Sequence, residues 1–179
     1  VKYIDYSALK TATDDIIDFI RFCTLMPDDE KATGSDGINW AQRRTELGHA
    51  EPYNIDIWEL GNELYHRGIN GSLYVDMCKY MIPLIREVFP DVKLAVHIDA
   101  TGNSSNWREY VIKNLADKTD YIAIHSYYSY STVNGAVNNI KTVQSLIGES
   151  ANPNVKCILT EGGLDNFKNY TGPSNQSVI

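Results

Sequence analysis

Apolar and polar positions alternate along this chain in two periods. Short runs rich in Val and Ile are separated by stretches in which apolar residues recur every three or four positions. The first period is that of buried strands, the second that of amphipathic helices. Lys2–Tyr6 reads as the tail of a strand, followed by a helix over about 14–25. In that helix Thr13 is the candidate cap, and Ile16, Ile20 and Cys23 share a face. A polar loop then spans Pro27 to about Asn54, long enough to suggest a functional role. Strands are predicted at 55–60, 92–96, 121–124 and 155–160. Helices are predicted between them at 72–88, 106–116 and 136–147. Pro83 lies inside the helix over 72–88 and predicts a kink. The tail after Asn166, rich in Asn, Gly, Ser and Pro, predicts no regular element.

Five strands with a helix between each pair predict a parallel sheet with helices outside. An open doubly wound sheet and a (β/α)8 barrel both satisfy that pattern. No glycine-rich phosphate loop follows any strand, and polar residues with catalytic potential sit just past several different strands. Barrels build their sites there. A full barrel needs eight strands and about 250 residues. The expected fold class is therefore α/β, a partial TIM (β/α)8 barrel covering roughly strands three to seven, with residues 1–179 as one catalytic-domain fragment.

Composition narrows the function. Hydrophobic residues at 43% and charged residues at 22% describe a chain able to form a core. The 16 basic against 23 acidic residues, a net charge of −7, argue against a nucleic-acid partner. No apolar run is long enough for a membrane helix, and no leader pattern opens the sequence. Cys23, Cys78 and Cys157 fit no zinc or redox spacing. They read as buried thiols and favour a cytoplasmic over a secreted setting. Sequons at Asn70, Asn103, Asn169 and Asn175 would carry meaning only in a secreted eukaryotic protein. No His, Asp or Glu cluster has metal-ligand spacing, and no cofactor motif is present, so neither is expected.

Two segments carry chemistry. Trp58-Glu59-Leu60-Gly61-Asn62-Glu63 is a hydrophobic strand ending in a glycine bend and an amide–carboxylate pair. Ile158-Leu159-Thr160-Glu161-Gly162-Gly163 is a second strand ending in a carboxylate, with glycines that leave room above it. Two further strands separate them, so Glu63 and Glu161 would stand on strands three apart. Cleavage of a glycosidic bond needs one carboxyl group to protonate the leaving oxygen. It needs a second, ionised, to attack the anomeric carbon or activate water. A separation of about 5–5.5 Å means retention and about 6.5–9.5 Å inversion, whereas more than about 10 Å would exclude the pairing. Between the glutamates, His125 follows a strand and Tyr127 shares its side. A tyrosine hydroxyl there would orient a nucleophilic carboxylate, and His125 would hydrogen-bond the sugar or the acid/base. Tyr127, Tyr128 and Tyr130 with Trp40 and Trp107 suggest a sugar-stacking surface. Trp107 fits the buried face of its helix, Trp58 fits the core, and Trp40 in the long loop is the better substrate contact. His97 and Asp99, past the strand ending at Val96, could line the same face, although a lone histidine there is more often a hydrogen-bonded structural residue.

Together these segments resemble glycoside hydrolase family 51, the α-L-arabinofuranosidases of the clan A barrels. Asn62-Glu63 is similar to the clan's strand-four signature, and His49–Asn54 resembles the family's preceding segment. His125-x-Tyr127 resembles its strand-six motif, and Glu161 matches the strand-seven nucleophile. The resemblance implies a retaining mechanism on terminal α-L-arabinofuranosyl groups of plant-type oligosaccharides or polysaccharides. Glu63 would be acid/base and Glu161 nucleophile, Asn62 would bind the sugar 2-hydroxyl, and Tyr127 would touch the nucleophile. It suggests a homo-oligomer for the full-length enzyme. It gives no catalytic role to Glu59, Asp56 or His49, which read as structural or rim residues. The family commonly has Asn and Trp soon after the nucleophile, where this chain has Gly162, Gly163 and Leu164. That departure keeps two alternatives open: another clan A activity (β-xylosidase or β-glycanase), or an inactive carbohydrate-binding fragment.

Overall fold

A computed structural model describes residues 3–102, 104, 106–128 and 133–164. Its elements in chain order are α1 (Tyr6–Thr24), α2 (Trp40–Glu46), β1 (Ile57–Glu59), a 3-10 turn (Leu64–Arg67) and α3 (Gly71–Val88). There follow β2 (Lys93–Ile98), α4 (Trp107–Leu115), β3 (Tyr121–Tyr128), α5 (Val133–Gly148) and β4 (Lys156–Leu164). The four strands form one parallel sheet in the order β1-β2-β3-β4. Sequence order equals spatial order, so no reversal point exists, as a barrel requires and a doubly wound sheet forbids. Right-handed crossovers then place α3, α4 and α5 on one side of the sheet.

The expected strand at Lys2–Tyr6 is not a strand. The described part enters α1 directly, because Asp5 adopts an extended conformation and its carboxylate accepts from Ser7 N and Ala8 N. That cap starts the helix eight residues before the expected Asp14. Thr13 is buried mid-helix, donating its hydroxyl to Leu9 O. The loop after α1 is also more ordered than its composition suggested. Asn39 caps α2 by accepting from Gln42 N, and Arg44 on α2 is fully buried. The Arg44 guanidinium donates to Phe22 O and Leu25 O at the C-terminal end of α1 and to His49 O and Ala50 O of the segment leading to β1. A single cation thus satisfies four carbonyls, including those at the negative end of the helix. α3 runs unbroken through Pro83. Cys23 and Cys78 are buried free thiols, and Cys157 is half-buried. Asn70 serves as the α3 cap, accepting from Leu73 N. Asn103, Tyr130 and the tail after Asn166 lie outside the described residues, and no described helix is long and apolar enough to cross a membrane.

Register separates the two faces. Glu59 pairs with Ala95, His97 with Ala123, and His125 with Glu161. Paired residues of parallel strands point to the same side, as do residues two apart. Glu59, Ala95, His97, Ala123, His125 and Glu161 therefore share one face. Leu94, Val96, Ile98, Ile122 and Ile124 take the other and meet the helices in the core. Tyr74 of α3 and Trp107 of α4 are fully buried, with rings stacked 5.0 Å apart. On the edge strands Ile57 and Leu159 are exposed, as expected of a sheet that is part of a larger barrel. Truncating Trp107 to alanine should cost about 3–5 kcal/mol, because it removes a large core side chain. Urea denaturation checks this, and a loss under about 1 kcal/mol would contradict the packing described.

Candidate active site

Glu63 sits on a turn whose geometry is unusual. Gly61 has φ +93° and Glu63 has φ +47°, in the left-handed region. Glycine is needed at 61, since a Cβ there would lie 3.0 Å from Leu64 Cδ1 and 3.2 Å from His97 Cε1. For a glutamate this conformation costs on the order of 1–3 kcal/mol, and its surroundings must impose it. His97 does so. Its ring contacts Leu60 O at 3.3 Å through Nδ1 and accepts from Leu64 N at 3.2 Å through Nε2. A carbonyl only accepts and an amide only donates, so Nδ1 carries the proton and the ring is neutral. Burial pushes the His97 pKa down from its ordinary 6.5 to about 4, in keeping with that state. Tyr74 adds a bond from its hydroxyl to Leu60 O at 2.7 Å. His97 thus has a structural part in the turn, and the Asp99 carboxylate accepts from Thr101 N and Ser104 N.

Glu161 reaches the site through an irregularity. Ile124 pairs with Leu159 but His125 pairs with Glu161, so Thr160 is an extra residue in β4. This bulge turns Glu161 onto the face of His125, where regular pairing would have placed Thr160. Gly162 is required beside it, because a Cβ would lie 2.9 Å from Ser126 O.

The result is a ring of carboxylates around one buried imidazole. His125 Nδ1 lies 3.0 Å from Glu63 Oε1 and 3.6 Å from Glu161 Oε2, while Nε2 lies 3.5 Å from Glu59 Oε1. Ligand atoms of Glu63, His125 and Glu161 all fall within 4.8 Å of one another. Tyr127 donates its hydroxyl to Glu161 Oε1. Tyr65 donates to Glu63 Oε1 at 3.2 Å, and His66 Nε2 is 4.0 Å from Glu63 Oε2. The hydrogen bond from His125, reinforced by that from Tyr65, holds the Glu63 carboxyl below its ordinary range against the opposing effect of burial. Burial and the Glu63 carboxylate push the Tyr65 phenol up, so it stays a donor. Three such atoms would also suit a cation, a juxtaposition that spacing along the chain did not signal. The ring nitrogen is already engaged by two carboxylates, however, and exposed acidic groups commonly adopt such geometry without an ion.

Of the residues picked from sequence, Glu63, Glu161, His125 and Tyr127 meet at this point. Asn62 lies exposed beside Glu63 on the same turn. Trp40 opens α2, which packs on α1, and no hydrogen bond, ion pair or ring contact joins it to the cluster among the described residues. Glu59 and Tyr65 were missed as site residues. Glu59 lies two positions from Ile57 along a strand, which in a barrel marks the interior face. Tyr65 gives no such signal, because its placement depends on the 3-10 turn.

The fold is part of a barrel, with the carboxylate cluster at the C-terminal strand ends. The chain belongs to the α-L-arabinofuranosidase 1 domain family, whose model matches residues 2–144. That segment contains Glu63, His125 and Tyr127; Glu161 lies beyond it. Among curated relatives, an intracellular exo-α-(1→5)-L-arabinofuranosidase of Streptomyces lividans is 30% identical over 107 residues, 55% of this chain and 16% of that protein. Its counterpart from Bacillus subtilis is 27% identical over 99 residues, 51% of this chain and 20% of that protein. The chain thus spans about a fifth or less of the curated relatives it matches. The family 51 α-L-arabinofuranosidase structure from Thermotoga petrophila superposes with a TM-score of 0.67 at 23% identity, over 85% of this chain and 32% of that one. That likeness is one of fold.

The depressed His97 predicts a pH dependence. The unfolded chain binds a proton near pH 6.5 and the folded chain only near 4, so stability should fall as pH drops through that window. Urea midpoints between these limits should show the fall, and His97→Gln should flatten it. An unchanged slope in the variant would refute the neutral clamp. Tyr65→Phe, which removes a hydrogen bond to the ionised form, should raise the Glu63 pKa. Carboxyl-carbon NMR titration reads that shift directly, and an unmoved or lowered value would contradict it.

Proposed function

We propose that this chain supplies the paired carboxylates of a retaining glycoside hydrolase acting on terminal α-L-arabinofuranosyl groups. The observation that carries the proposal is the convergence of Glu63 and Glu161, from opposite edges of the sheet, to within 4.8 Å between carboxylate oxygens. That approach supports the short separation used for double displacement over the wider one of an inverting site. Glu161, with Tyr127 donating to one oxygen, is oriented to attack the anomeric carbon. Glu63 delivers the proton to the leaving oxygen and then removes one from the attacking water. Family membership supplies the sugar, and an arabinose-containing oligosaccharide or polysaccharide is the substrate class. Asn62, exposed beside Glu63, is placed to meet the 2-hydroxyl.

Glu161→Ala in the intact enzyme should lower kcat on an aryl α-L-arabinofuranoside by at least about 10³-fold. Azide should restore turnover with formation of the glycosyl azide. Turnover equal to wild type without azide would remove Glu161 from the mechanism. Comparison with an aryl β-xyloside checks the sugar: the arabinofuranoside should be the faster substrate, and a preference for the xyloside would place the activity elsewhere in the clan.

A further inference from the structure

Glu59 has no place in the mechanism above, yet its side chain points into the site. Its Oε1 is buried and accepts no hydrogen bond among the described residues. A buried carboxylate oxygen without a donor is costly. The ring nitrogen His125 Nε2 stands 3.5 Å away, and the ring is itself almost wholly buried. On its other side, Nδ1 faces two acceptors, Glu63 Oε1 and Glu161 Oε2. Both ring nitrogens therefore face carboxylate oxygens, and an imidazole so surrounded satisfies all of them only as a double donor.

We propose that Glu59 is a positioning residue that holds His125 doubly protonated, so that Nδ1 stores the proton Glu63 delivers. The inference rests on Glu63 being the acid/base. It also accounts for an otherwise awkward feature: the hydrogen bond from His125 favours ionised Glu63, whereas a general acid must hold a proton. As the glycosidic bond breaks, the Nδ1 proton moves to ionised Glu63 and on to the leaving oxygen, while Glu161 bonds to the anomeric carbon. His125 is left neutral, with Nε2–H on Glu59. When water attacks the glycosyl–enzyme, its proton returns through Glu63 to Nδ1, and Glu161 is released as carboxylate. Among the described residues, the charged and titratable groups facing this system are Glu59 of β1, Glu63 on the following turn, His97 of β2, Tyr127 of β3 and Glu161 of β4. Tyr65 and His66 face Glu63 from the 3-10 turn.

The test uses the intact enzyme and aryl α-L-arabinofuranosides whose leaving groups need acid assistance to different degrees. Glu59→Leu should lower kcat about 10- to 100-fold on a weakly acidic phenol and less than about 3-fold on dinitrophenol, which departs unaided, with KM little changed. Glu59→Gln keeps an acceptor but loses the charge, so its defect should be smaller. In both variants the alkaline limb of kcat/KM should move to lower pH, because the stored proton loses a stabilising anion. Equal losses on both leaving groups, or an unmoved alkaline limb in Glu59→Gln, would overturn the inference. Glu63→Ala in parallel separates the two ideas. If it shows the leaving-group dependence and the Glu59 variants do not, only Glu59's role fails. If it shows none, the acid/base reading fails as well.

Discussion

The site depends on the clamp that His97 makes across the turn after β1. Leu60 O and Leu64 N are both engaged by one neutral imidazole, which bridges the turn that holds two left-handed conformations. The clamp is itself fixed from behind. His97 lies on a strand buried on both faces, its carbonyl accepts from Trp107 Nε1, and its ring stacks on Trp107 and packs tilted against Tyr74. The core of α3 and α4 therefore reaches the turn of Glu63 through the His97 ring, and the Glu63 carboxylate through Tyr65, whose ring meets Trp107. Desolvation, which makes a histidine a poor base, here gives a rigid one-proton connector.

A second imidazole works in the opposite sense. His97 meets a carbonyl and an amide, whereas His125 meets three carboxylates from β1, the turn and β4. It ties the two edges of the sheet together across the face that a barrel turns inward. Both rings stand on that face, above the small residues Ala95 and Ala123, which leave the volume they occupy. Two histidines in comparable positions thus meet different partners, backbone dipoles around His97 and carboxylates around His125.

Much of this was legible in the sequence, because strand ends announce themselves. Val- and Ile-rich runs marked β1 to β4, and Asn62-Glu63, His125, Tyr127 and Glu161 each followed one. What escaped was set by local hydrogen bonds or by tertiary contacts. Asp5 started α1 eight residues before the position that apolar spacing suggested. Asn39 and buried Arg44 organised α2 inside a polar loop. The Thr160 bulge decides which face Glu161 occupies, and no pattern of alternation encodes a bulge. Glu59 looked like a strand-end charge until register placed it on the inner face. The match in fold and family accords with the resemblance carried by those motifs, while the roles of the individual residues rest on the geometry just described.

The central claim is that Glu63 and Glu161 work as a pair in double displacement. The stereochemistry of transfer to methanol tests it most directly, since a methyl glycoside does not mutarotate. With an aryl α-L-arabinofuranoside as donor, the intact enzyme should give methyl α-L-arabinofuranoside, seen by proton NMR of the early product. Methyl β-L-arabinofuranoside as the first-formed product would mean a single displacement and would contradict the account.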